Sequence, residues 1–125
     1  MVYNVGKKRG DPMPVQLNEC PVEVVISSLS GRWKIPIYRY LYNNNQPVRY
    51  SALLRHLPSI SKKVLTEQLR ELERDGIVER KSYPEPRPKV EYTLTSTGRS
   101  MIGFLDKISE WGMKHMLSQK EAQKS

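Results

Sequence analysis

The stretch SISKKVLTEQLRELERDG, residues 59–76, carries two chemistries at helical spacing. At about 100° per residue, Leu65, Leu69 and Leu72 face one way, and Lys63, Thr66, Glu67, Arg70 and Arg74 face the other. The leucine side can seat a helix on a core. The opposite side holds cations, a hydroxyl and a methyl group. Lys62 and Lys63 suit phosphates or a guanine edge, Thr66 a thymine methyl, and Arg70 a guanine edge or a phosphate. Ser61 can cap the helix, whose first amides attract an anion. A solvated amphipathic helix with incidental lysines would show the same pattern, so the surroundings must decide.

The net charge is +8 and the pI about 9.7, which points to a polyanionic partner, nucleic acid before an acidic membrane. The charge is also segregated. No Asp or Glu occurs between Glu23 and Glu67, whereas Arg32, Lys34, Arg39, Arg49, Arg55, Lys62 and Lys63 all do. Other chemistry is poorly supplied. His56 and His115 are the only histidines and lie far apart in sequence, so neither a triad nor a metal set is formed, and no enzyme activity or cofactor is expected. The glycines are scattered and make no phosphate loop. Cys20 is the single cysteine, which excludes an intramolecular disulfide and zinc sites built on paired cysteines. No signal peptide or membrane span is evident, so a cytoplasmic protein without membrane contact is expected.

The 125 residues make one ordinary domain. Residues 1–19, with GKKRGDPMP, read as a flexible arm, and 119–125 as a frayed tail. The domain between them spans 20–118. A helix over 20–31 starts near Pro21 and stops at Gly31. A second runs through 32–45, where Pro36 must lie in the first turn or bend it. PVRY is a strand stub. SALLRHLP is a short helix with Ser51 as expected N-cap, a residue that could also touch a phosphate. The helix from Ser61 ends at Gly76, and an alternating hairpin follows through Val78 and then Val90, Tyr92 and Leu94. Its tip, YPEPRPK, is stiffened by three prolines and carries Arg87 and Lys89, which suit a minor groove. A long helix over 96–120 closes the chain. Met101, Phe104, Leu105, Ile108 and Trp111 give it more apolar surface than a small domain can cover, so a homodimer interface is expected there. The fold class is mainly α with a small β-hairpin: a winged helix-turn-helix with an added C-terminal dimerisation helix.

In order, the motifs CPVE, GRWKIPI, RYSALLRHLPSISKKVLTEQLRELERDGIVER, YPEPRPKVEYTLTSTG and EWG resemble the HxlR family of bacterial winged-helix transcription regulators, relatives of the MarR group. The resemblance implies a homodimer built from the first and last helices, bound to double-stranded DNA at a palindromic operator. It also implies that Ser61–Arg74 is the recognition helix and Pro84–Lys89 the wing. Cys20 matches a cysteine that senses electrophiles or oxidants in several members. The positive end of a helix favours a thiolate there, while Glu19 and Glu23 oppose it. The alternative is a winged-helix module that binds proteins and reads no DNA sequence.

Overall fold

The computed structural model describes residues 20–84 and 86–118, so the expected arm 1–19 and tail 119–125 lie outside the described residues. Pro21 opens helix α1 (Pro21–Leu29) at a position whose N–H would have no helical partner. Gly31, at φ +100°, lets the chain turn out of it. Helix α2 (Lys34–Asn43) takes Pro36 into its first turn, where no intrahelical hydrogen bond is lost. Its inner face, Ile37, Tyr38 and Leu41, is fully buried.

Strand β1 (Val48–Arg49) runs directly into helix α3 (Tyr50–His56). This corrects the expectation for Ser51. Arg49 is the N-cap, extended at ψ 149° because it is still paired in the sheet opposite Glu91. The helix therefore starts two residues early, and Ser51 sits exposed inside the first turn and caps nothing. Ser59, at φ +70°, makes the turn to helix α4 (Lys62–Arg74).

At the start of α4 the Ser61 hydroxyl accepts a hydrogen bond from Val64 N at 3.1 Å, as a cap should. At its end Gly76 adopts φ +77°, and Ile77 N donates to Leu72 O at 3.0 Å. That bond closes the last turn as a Schellman motif does. Leu65, Leu69 and Leu72 are each at most 1 % exposed. Burial of each contributes about 1.5–3 kcal/mol, which holds α4 on the domain by one face only.

Strands β2 (Val78–Tyr83) and β3 (Lys89–Leu94) pair as an antiparallel hairpin, from Val78 opposite Leu94 to Tyr83 opposite Lys89. The stub β1 joins β3 on its other edge, giving a three-stranded sheet in the order β1-β3-β2 where a hairpin alone was expected.

The expected single helix over 96–120 is divided. Thr95 caps α5 (Ser96–Ser100), its hydroxyl accepting from Gly98 N at 2.9 Å. A tight turn at Met101 leads into α6 (Ile102–Gly112), which continues as a π-helical turn, Met113–Leu117. The division has a cause in tertiary contacts. Gly98 lies against the Ile77 carbonyl so closely that a Cβ would collide with it. The Tyr38 hydroxyl donates to Gly98 O at 2.6 Å. The start of the segment is thus locked to the core, and the chain re-aims at Met101. Met101 and Leu105 then turn inward and are buried in the subunit's own core, each 7 % exposed. Their assignment to a dimer interface is corrected accordingly. Phe104, Ile108 and Trp111 remain on the surface.

Candidate nucleic-acid interface

The one-sided burial of α4 leaves Ser61, Lys62, Lys63, Glu67 and Arg70 exposed, with Thr66 half-buried among them. The structure therefore brings the expected set together: a cap serine and two lysines at the helix start, then Thr66 and Arg70 along the same face. Neither Lys62, Lys63 nor Arg70 enters an ion pair among the described residues. Their charge is not spent on any described acidic side chain. Glu67 on this face is the one acidic side chain between them, so the basic character is strongest at the helix N-terminus, where the helix dipole adds to it.

Tyr50, at the start of α3, anchors that end. Its hydroxyl lies 3.0 Å from Lys62 O and 3.1 Å from Thr66 Oγ1. Sequence reading passed over Tyr50. Its only sequence signal was the placement of an aromatic with a polar tip directly before the helix pair.

Arg49 of β1 and Arg55 of α3 are exposed, as is Ser51. Both arginines stand in the acid-free segment and remain open to solvent. Two other cations of that segment are paired. Lys34 is only 5 % exposed, and its Nζ donates to Glu71 Oε1 at 2.6 Å. That hydrogen bond, with the attraction of the ammonium, holds the Glu71 carboxyl below its ordinary pKa. Arg39 reaches Asp106 of α6 at 3.3 Å. These two cations join helices to one another and add nothing to a DNA-facing surface.

On the wing, Arg87 is exposed near the tip. Lys89 is drawn back: its Nζ lies 3.6 Å from Glu91 Oε2 and 4.7 Å from the centre of the Tyr83 ring. Its charge is shared with the hairpin, which weakens it as a groove contact. Arg80 of β2 approaches Glu73 of α4 at 3.9 Å, tying the root of the wing to the helix.

The two histidines are separate. His56 stacks on Tyr40 at 3.9 Å and His115 on Trp111 at 4.7 Å. Among the described residues no three His, Cys, Asp or Glu side chains are grouped to hold a metal ion. No described helix is long and apolar enough to cross a membrane. Cys20 is a half-buried free thiol at the N-cap of α1 and makes no side-chain cap bond.

Comparison with known proteins agrees with this arrangement. The HxlR-like helix-turn-helix family profile matches residues 28–120. An uncharacterized HTH-type transcriptional regulator of Halalkalibacterium halodurans is 40 % identical over 79 % of this chain and 87 % of its own. Among solved structures, the reduced form of the transcriptional regulator YodB from B. subtilis is 35 % identical, with TM-score 0.70, covering 78 % of this chain and 95 % of its own. The redox regulator HypR in its reduced form is 38 % identical, with TM-score 0.69, covering 79 % and 98 %. Both also match in a second state, YodB treated with diamide and HypR oxidised. The chain belongs to the HxlR-like helix-turn-helix family: it is a winged-helix, DNA-binding transcriptional regulator and not an enzyme.

Proposed function

We propose that the protein acts as a homodimer on a palindromic operator, with one α4 helix entering the major groove of each half-site. The observation that carries this is the face of α4: Lys62, Lys63 and Arg70 exposed around Thr66 and, among the described residues, in no ion pair. A major groove admits one helix, and two half-sites would lie about 34 Å apart. Arg87 at the wing supplies a cation for a minor groove. Dimerisation is supported by the apolar surface left uncovered on the first and last helices. Val22 and Ile26 of α1 are 64 % and 58 % exposed, and Ile108 and Trp111 of α6 are 56 % and 57 % exposed. Side chains of this size left open on two helices mark an association surface.

The experiment joins sedimentation to a gel-shift titration on the promoter regions of the protein's own and neighbouring genes. A dimer that binds one such duplex specifically is expected, with Trp111→Glu giving a monomer or aggregate of poor affinity. A stable parental monomer refutes the dimer. Binding of equal strength to every duplex refutes operator recognition and favours a protein-binding module.

Cys20 is the proposed point of response to an oxidant or electrophile. Its thiol is partly accessible at the start of α1, the helix whose outer face is uncovered. Oxidation by a peroxide gives a sulfenic acid. Condensation with a small thiol then forms a mixed disulfide and releases water. That adduct would displace α1 and change the spacing of the two α4 helices. Operator affinity before and after treatment with peroxide or diamide in the presence of a small thiol, for the parent and Cys20→Ser, tests it. An unmoved parent, or an equal response in Cys20→Ser, makes the thiol structural.

A further inference from the structure

Thr66 sits in a hydrogen-bonded chain that constrains what it can offer a base pair. Lys62 O is a carbonyl and can only accept. The Tyr50 hydroxyl, 3.0 Å away, therefore donates its single proton there. Only an oxygen lone pair of Tyr50 is then left toward Thr66 Oγ1, 3.1 Å away, so Thr66 is the donor in that contact. A threonine in a helix ordinarily returns its hydroxyl proton to the carbonyl four residues back, which here is Lys62 O. Tyr50 is inserted into that link and takes the proton itself. Thr66 is half-buried, and its neighbours Lys63 and Arg70 on the same face are fully exposed, so its remaining groups belong to the outer face of α4.

The geometry points to Tyr50 as a positioning residue that decides which base pair Thr66 accepts, by occupying the Thr66 hydroxyl proton. This rests on the reading of α4 as the recognition helix. With its proton committed, Thr66 presents a methyl group and an oxygen that can only accept. In the major groove an A·T pair offers both complements, the thymine methyl and the adenine N6 amino group. A G·C pair has no methyl, and the N7 and O6 of guanine both require a donor that Thr66 no longer has; its one major-groove donor, the cytosine N4 amino group, lies on the pyrimidine. Where Thr66 meets a purine, the arrangement therefore selects adenine over guanine. Removing the Tyr50 hydroxyl leaves the Thr66 proton to alternate between Lys62 O and the groove, where it can donate to guanine.

The test is selection from a randomised duplex DNA library by the full-length dimer, followed by competition between A·T and G·C at the position that Thr66→Ala alters. Tyr50→Phe is expected to lower the A·T preference there by about threefold to tenfold, on the scale of a single base contact. General loss of affinity or stability would weaken all duplexes alike and leave this ratio unmoved. The double variant supplies a second arm. Thr66→Val keeps the methyl and removes the oxygen, so adding Tyr50→Phe to it should leave the ratio unchanged. An unaltered preference in Tyr50→Phe, at a position that Thr66→Ala does alter, overturns the role of Tyr50 and leaves α4 as the reader. If Thr66→Ala alters no position, Thr66 faces no base and the inference falls with that part of the interface.

Discussion

Replacing both Lys63 and Arg70 with alanine is expected to change the salt dependence of operator binding by an amount that the structure bounds. Both side chains are exposed and take part in no ion pair among the described residues, so folding stability should move by no more than about 0.5 kcal/mol. The proposed dimer would lose four cations from its two α4 helices. Each phosphate contact contributes about 0.9 to the slope of log affinity against log salt. If both residues meet phosphates, the slope becomes shallower by about 3.6; if Lys63 alone does and Arg70 reads a base, by about 1.8. Over a rise from about 50 to about 200 mM salt, those differences close the gap between parent and variant by roughly 150-fold or roughly 12-fold. A fluorescence-anisotropy titration at several salt concentrations measures the slope, and an unfolding curve supplies the folding control. An unchanged slope together with unchanged affinity would refute α4 as the DNA-facing helix, whatever the family resemblance.

Three further outcomes concern the scaffold. Gly98→Ala should destabilise by about 1–3 kcal/mol in urea titration, because the added methyl meets the Ile77 carbonyl, which the packed core cannot easily move; wild-type stability would show that the close approach relaxes freely. Ser59→Gly should raise the urea midpoint, by up to about 1 kcal/mol, since Ser59 holds φ +70° in the turn before α4; a loss of stability would mean that the serine side chain is needed there. The Lys34 ammonium lowers the Glu71 pKa in the folded state, so the pair stabilises above the ordinary carboxylate pKa and that contribution is lost as pH falls through the lowered value. Urea midpoints between about pH 6 and pH 3 should therefore fall less steeply for Glu71→Gln than for the parent, and parallel profiles would contradict the coupling.

Local spacing determined most of the elements. Apolar residues at helical intervals, Pro36 in a first turn, the Ser61 cap and the Gly76 stop each act within a few residues of themselves, so α2 and α4 form as the sequence predicts. The alternation of Val90, Tyr92 and Leu94 likewise places β3. The basic face of α4 was legible for the same reason, since knowing which side is apolar also places the other. What periodicity could not assign is the destination of each face. Met101 and Leu105 lie on the same stretch of sequence as Phe104, Ile108 and Trp111, yet the first two close the subunit's core and the others stay open. That division depends on where Gly98 docks against Ile77, a contact between distant parts of the chain. Ser51 failed as a cap because Arg49 is held extended opposite Glu91 of β3, which shifted the helix start by two residues. Charge carried the same ambiguity. Lys34 looks like any other cation of the acid-free segment until α4 brings Glu71 to it, and Lys89 looks like a free wing residue until the hairpin folds Glu91 and Tyr83 beside it. The link from Tyr50 to Lys62 O and Thr66 has the same origin: Tyr50 of α3 reaches two residues one turn apart on α4 only because packing brings them together. Sequence sets the period and polarity of each element because those are local properties of the backbone. The tertiary structure decides which charges are free and which apolar faces are covered, because those depend on neighbours that only packing supplies.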